Sequence, residues 1–200
     1  EPWFEALLVP ALLEALPAGS VLFAGNSMPV RELDSFSGQL DKPLQLIANR
    51  GASGIDGHVS TLLGLATAAG DSTTVAGLIG DLAFYHDMNG LLAARDCNAT
   101  LIVINNDGGG IFRYLPQAGL EAFERYWSAA TGLDFRHAAS LYGLPFRRVS
   151  SAGEFEQALD DNLARPGVKI IEAMIDPQHS VERHRAYWEA TGRNMQAIDS

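Results

Sequence analysis

Short apolar runs alternate with longer stretches of helical periodicity along most of this chain. SVLFAG, LQLIA, TTVAGLIG and ATLIVI are strand-sized, and NSMPVRELDSF, HVSTLLGLATAAG and DLAFYHDMNGLLAARD fall between them with apolar residues at helix-like spacing. At the start, Trp3, Phe4, Leu7, Leu8, Leu12, Leu13 and Leu16 share one helical face, and Pro10 predicts a kink or a late helix start. Further on, LEAFERYW and FRHAASLYG read as helices and PFRRV as a strand. SAGEFEQALDDNLARPG reads as a capped helix with Gly167 beyond its end, VKIIEAMID as a strand, and SVERHRAYWEATGRN as a polar helix with aromatics. Most strands are continuous apolar runs rather than alternating ones. That pattern predicts a mostly parallel sheet of about six strands with helices on both faces, an α/β/α three-layer fold, as a single domain over residues 1–200.

Composition narrows the function classes. A 47% hydrophobic and 19% charged chain is an ordinary globular one, and no apolar run reaches the roughly 20 residues of a membrane span. The net charge of −10 argues against a nucleic-acid partner, which needs a basic face, but leaves room for a small anionic ligand held by local arginines. One cysteine, Cys97, excludes an internal disulfide framework, and a cytoplasmic setting is the expectation. The chain opens on EPWFEALL, neither a methionine nor a signal peptide, which leads us to expect a portion of a longer protein.

The chemistry concentrates at strand ends, where a parallel α/β sheet places its ligands. Four of these ends are unusual: GNSMPVR, NRGASGIDG, GDLAF and NNDGGG. Asp81 alone reads as a helix N-cap at a helix start that also suits phosphate. Asn106 follows it by about 25 residues, one helix and one strand later, so adjacent parallel strands would bring both to one rim. A carboxylate, an amide oxygen and the Gly108 carbonyl are hard ligands suited to Mg²⁺, and the glycines let backbone approach a diphosphate.

This pairing resembles the Gly-Asp…Asn-Asn signature of thiamine diphosphate enzymes, with Leu82 where glycine is usual. GNSMPVRELD (25–34), NRGASGIDG (49–57), GDLAFYHDMNGL (80–91) and NNDGGGIFRYLP (105–116) are together similar to a narrower family, the 2-succinyl-5-enolpyruvyl-6-hydroxy-3-cyclohexene-1-carboxylate synthases of menaquinone biosynthesis. The resemblance is close over residues 20 to 116 and elsewhere rests on strand–helix order.

It implies thiamine diphosphate and Mg²⁺ (or Mn²⁺) as cofactors, with Asp81, Asn106 and Gly108 on the metal and Asn26, Ser27, Gly54, Ile55, Gly80, Asp81, Leu82, Ala83, Asn106 and Gly108 around the cofactor. Ile55 would wedge between the cofactor's two rings. Substrate contacts would fall to Ser27, Arg31, Arg50, Ile111, Phe112 and Leu115, with arginine suited to substrate carboxylates. The implied reaction decarboxylates 2-oxoglutarate and adds the resulting four-carbon carbanion equivalent to isochorismate. The activating glutamate of such enzymes lies on a separate pyrimidine-binding domain, usually from a neighbouring subunit of a homodimer or homotetramer. Nothing in this chain resembles that domain, so it is expected to be the C-terminal diphosphate-binding portion, inactive alone and without a catalytic residue of its own.

Two other readings stay open: an acetohydroxyacid synthase or 2-oxoacid decarboxylase type of enzyme, and a non-catalytic diphosphate-binding regulatory module. A Rossmann dehydrogenase is disfavoured because the G-x-G-x-x-G spacing is missing. The five histidines show no metal-ligand spacing and read as surface or capping residues. Tyr187 and Trp188 read as packing against another domain or subunit, and Arg113 could face either the site or solvent.

Overall fold

The computed structural model describes residues 3–198, with side chains described as far as 195. Six strands, β1 (Val21–Ala24), β2 (Gln45–Ala48), β3 (Val75–Gly80), β4 (Ala99–Asn105), β5 (Phe146–Val149) and β6 (Val168–Met174), form one sheet in the order β2-β1-β3-β4-β6-β5. Every neighbouring pair is parallel. The helices are α1 (Leu8–Ala15), α2 (Met28–Phe36), α3 (His58–Ala69), α4 (Asp81–Asp87), α5 (Phe123–Tyr126), α6 (Arg136–Leu141), α7 (Ala152–Leu163) and α8 (Pro177–Ile198).

Alternate residues of each strand feed two cores. Phe23, Ile79, Leu101, Val103 and Ile170 face Leu62 and Leu63 of α3 and Phe84 of α4, where Phe84 meets Phe135 edge-on at 5.0 Å. Leu22, Leu78, Ile102, Ile104 and Ile171 face Leu8 and Leu12 of α1 and Phe155 and Leu159 of α7. A sheet buried on both sides explains why its strands are continuous apolar runs. The edge strand β2 departs from this expectation: Gln45 and Leu46 are exposed, and only its second half is partly covered.

Several boundaries differ for local reasons. The N-terminal run starts as a 3₁₀ turn (Glu5–Leu7) and becomes α-helical at Leu8, which puts Pro10 in the first turn where its missing N–H costs nothing. DLAFYHDMNGLLAARD is α-helical only to Asp87 and continues as 3₁₀ over Met88–Asp96. The helix read in LEAFERYW shrinks to Phe123–Tyr126. Ser151 caps α7, accepting from the Glu154 N–H, as its sequence signals.

The strand order reverses at β1: β2 lies on one side of it and β3 on the other. Such a switch point opens a crevice at the carboxyl ends of the strands.

Candidate active site

The segments that follow β1, β3 and β4 meet in that crevice around a cavity of about 150 Å³. It is lined by Asn26, Ser27, Ile55, Gly80, Asp81, Leu82, Ala83, Asn106, Gly108, Ile111 and Phe112, all expected from the sequence, and by Met28, Pro29, Ile104, Gly109 and Gly110, which were not. Gly54 stays outside the lining but touches it through its carbonyl, which accepts from Asn26 Nδ2 at 2.8 Å. Arg50 also reaches it indirectly, its Nη1 donating to Asn26 Oδ1 at 3.3 Å.

Asp81 is the first residue of α4 rather than its cap. Gly80 takes the cap position, because the chain leaves β3 in an extended conformation there. The carboxylate is therefore turned across the strand ends: Oδ1 accepts from its neighbour Leu82 N–H at 2.7 Å and Oδ2 from Gly108 N–H at 2.8 Å. It is 5% exposed, and burial pushes its pKa up to about 6 against the lowering effect of those N–H groups. Desolvation disfavours the charged form of a carboxylate and so raises its pKa.

The two asparagines divide. Asn105 ends β4 buried, donating to Glu172 Oε1 at 2.7 Å and accepting from the Asp107 N–H at 3.0 Å. Asn106 faces the cavity, its amide against Gly110 so closely that a Cβ on Gly110 would lie 2.3 Å from Nδ2. Asp107 holds the turn from outside, Oδ1 accepting from the N–H groups of Thr131 and Gly132. Gly108 has φ +130, and a Cβ there would meet the Ser128 carbonyl oxygen at 2.0 Å, so the turn can be closed only by glycine.

The three oxygens from Asp81, Asn106 and Gly108 fit a hard divalent cation in kind. Among the described residues no group of three His, Cys, Asp or Glu could hold a metal. A cation at Asp81 would therefore lean on amide and backbone oxygens and on the ligand's own.

Ser27 precedes α2 at φ 70, an uncommon conformation for a non-glycine residue, and its hydroxyl makes no cap bond. Its carbonyl accepts from Arg31 Nη1 at 2.6 Å, which turns Arg31 back over the first turn of α2. Arg31 and Leu115 line an adjoining cavity of about 460 Å³ that shares Met28 and Ile111 with the first and is closed by Phe36, Tyr114, His184 and Trp188. Arg113 does not face either cavity: it pairs with Glu124 through both its Nη atoms at 2.7 and 2.9 Å.

Two histidines overturn the surface reading. His58 is fully buried beside Asn26, and His184 is buried with its Nε2 at 3.0 Å from both Glu32 oxygens. Tyr114 joins His184 at 2.9 Å, and Ser180 links the cluster to buried Glu5. These partners are scattered through the sequence, so no spacing announces them. Tyr187 and Trp188 pack on Phe36 within the chain.

A parallel sheet whose switch-point crevice gathers a carboxylate, an amide and a glycine turn matches a known class. The chain belongs to the thiamine pyrophosphate enzymes: residues 34–173 match the family described as thiamine pyrophosphate enzyme, C-terminal TPP binding domain. Over 198 residues it is 44% identical to the 2-succinyl-5-enolpyruvyl-6-hydroxy-3-cyclohexene-1-carboxylate synthase of Geobacillus thermodenitrificans, covering 98% of this chain and 33% of that protein. The synthase of the same name from Bacillus pumilus is 46% identical over 185 residues, 91% of this chain and 32% of its own length. The chain thus spans about a third of the curated relatives it matches. In fold it resembles benzoylformate decarboxylase from Polynucleobacter necessarius (TM-score 0.72, 21% identity, 88% of this chain and 34% of the other). It likewise resembles a 4-hydroxybenzoylformate decarboxylase from Rhodococcus jostii (TM-score 0.70, 23% identity, 86% and 32%).

Proposed function

We propose that this chain is the diphosphate- and metal-binding part of a cytoplasmic synthase that decarboxylates 2-oxoglutarate and joins the remaining four carbons to isochorismate. The observation that carries this reading is the convergence of Asp81, Asn106 and Gly108, from the ends of two adjacent strands, on one cavity that Ile55 also lines. The identity to synthases of that reaction across nearly the whole chain supports the choice of substrates.

Thiamine diphosphate, when bound, would supply a carbon nucleophile towards the keto carbon of a 2-oxoacid and an electron sink for its decarboxylation. The chain's own residues do the holding. Asp81, Asn106 and the Gly108 carbonyl would hold Mg²⁺ or Mn²⁺, and the backbone at the start of α4 would lie against the diphosphate. Asn26, Ser27, Gly54, Gly80, Leu82 and Ala83 would form the cofactor's walls, and Ile55 would press between its rings. Arg31 and Arg50 would take substrate carboxylates, with Ser27, Ile111, Phe112 and Leu115 shaping the space around them. The activating acid would come from a pyrimidine-binding domain outside these 200 residues, carried by a neighbouring subunit of a homo-oligomer, so the chain alone would not turn over.

Calorimetric titration of thiamine diphosphate, with Mg²⁺ and with chelator, tests this on the chain and on the complete enzyme. Metal-dependent binding that disappears in Asp81→Ala is expected. Binding indifferent to metal and to Asp81, or turnover by this chain alone, would sink the reading. Turnover with pyruvate as acceptor instead of isochorismate would move it to the acetohydroxyacid synthase type.

A further inference from the structure

His58 opens α3 and is fully buried, its ring edge-on to Phe23 at 5.8 Å. Its Nε2 lies 3.2 Å from Asn26 Nδ2. The orientation of that amide follows from its other neighbours. Nδ2 donates to the Gly54 carbonyl, which can only accept, and Oδ1 receives Arg50 Nη1, which can only donate. An amide nitrogen cannot accept a hydrogen bond. His58 Nε2 is therefore the acceptor, and the ring is neutral with its proton on Nδ1.

That proton has no partner: among the described residues, His58 Nδ1 is a buried side-chain polar atom without a hydrogen bond. A buried group left unpaired calls for an explanation, and the explanation lies at the other nitrogen. Burial favours the neutral ring, against the Gly54 carbonyl and the more distant Asp56 and Asp87, which favour the charged one. The surroundings are shaped to admit the ring. Gly25, the last residue before Asn26, carries no side chain where a Cβ would stand 3.2 Å from His58 Nδ1 and 3.1 Å from the Leu78 carbonyl.

Asn26 in turn makes the one side-chain hydrogen bond, among the described residues, that ties the exposed segment 51–56 to the sheet. Ile55, the next residue after Gly54, lines the cavity from that segment.

We propose that His58 is a positioning residue whose neutral Nδ1–H tautomer fixes Asn26, and through it the loop that carries Ile55, over the carboxyl end of β1. The consequence for the cofactor rests on the function proposed above; the tautomer and the loop's restraint do not.

The test therefore has two independent parts. In protein labelled with ¹⁵N in the imidazoles, long-range ¹H–¹⁵N correlation spectra should show His58 as a single neutral Nδ1–H tautomer. Backbone ¹⁵N order parameters over residues 51–57 should drop towards about 0.6 in His58→Leu, which cannot accept, and stay near the parent in His58→Gln, whose carbonyl replaces Nε2. In the complete enzyme, His58→Leu should weaken thiamine diphosphate binding by about 10-fold while His58→Gln stays near the parent, as expected of a group that orients a contact residue. Should His58→Leu fail to fold, Asn26→Asp serves instead: a side chain with no donor should release His58 to the Nε2–H tautomer and lower the same order parameters. An Nε2–H or charged His58 in the parent protein overturns the proposal, as do loop order parameters unchanged in every variant. Failure of the parent to bind thiamine diphosphate, with the tautomer and order-parameter results as expected, would overturn the function reading alone.

Discussion

The Gly108 N–H donates to Asp81 Oδ2 at 2.8 Å and so ties the carboxyl ends of β3 and β4 together under the candidate cofactor cavity. The bond depends on a turn that no other residue type can make. Gly108 at φ +130, with the Ser128 carbonyl 2.0 Å from where a Cβ would stand, leaves neither the conformation nor the space for a side chain.

Gly108→Ala is accordingly expected to destabilise the fold by about 2–4 kcal/mol, combining an unfavourable φ with a clash against backbone. Gly119→Ala, where a Cβ meets nothing within 4 Å, should change stability by less than about 0.5 kcal/mol. Urea denaturation of the two variants side by side checks both, and equal midpoints would contradict the account.

The Glu32–His184 pair predicts a pH dependence. Burial lowers the His184 pKa, but the hydrogen bond and charge of Glu32 outweigh it, and the net shift is upward from 6.5. A group raised in the folded state contributes stability that is complete below its unfolded pKa and is lost as pH rises through its folded value. Glu5, raised chiefly by burial, titrates in the same sense. Stability should therefore fall as pH climbs above about 6.5, and Glu32→Gln should flatten that slope. His184→Phe, which strands Glu32 in the interior, should cost about 3–5 kcal/mol. Denaturation midpoints measured across this pH range decide the matter.

Arg31 is exposed and, among the described residues, braced only by the Ser27 carbonyl, so its removal should not unfold anything. In the complete enzyme, Arg31→Ala should raise KM for a carboxylate substrate by about 10-fold or more with an unchanged melting temperature, and Arg31→Lys should recover only part of the loss, because an ammonium lacks the guanidinium fork. A variant with parental KM would remove Arg31 from the substrate site.

At the opposite pole of the sheet, Lys169 is buried on β6 with its Nζ bonded to the Arg165 carbonyl, and burial lowers its pKa to about 8. With a folded pKa below the unfolded one, the charged form is penalised: stability is reduced below pH 8 and recovers as pH rises towards 10.5. Lys169→Met should gain about 1–3 kcal/mol at neutral pH and lose the alkaline recovery. A loss at pH 7 would mean that the bond to the helix-end carbonyl outweighs desolvation.

Much of this was legible in the sequence because it is local. Gly70 ends α3, Ser151 caps α7, and the apolar runs of β3, β4 and β6 are long enough to read as doubly covered strands. The clustering of the candidate site residues around one cavity was legible for the same reason: they fall immediately after strands, and a parallel sheet sends all those ends to one side. What escaped is long-range. His184 meets Glu32 across 152 positions, and Asn105 meets Glu172 across 67, with nothing in either neighbourhood to mark the partner. Gly80 rather than Asp81 at the cap turns on a single backbone angle, which composition does not encode. The exposure of β2 escaped because an apolar strand reads alike at the edge and at the centre.

Asn105 and Asn106 are chemically identical neighbours with opposite duties, one bracing Glu172 and the other facing the cavity. On a strand, consecutive residues point to opposite faces, so adding or deleting one residue within β4 would put the residues on one side of the change on the wrong face, either turning core residues such as Leu101 and Val103 outward or moving the asparagines out of place. This segment can therefore drift in residue type but not in length. Insertions and deletions among natural variants should be absent from 99–106 and should gather instead in stretches such as 37–43, where no register has to be kept.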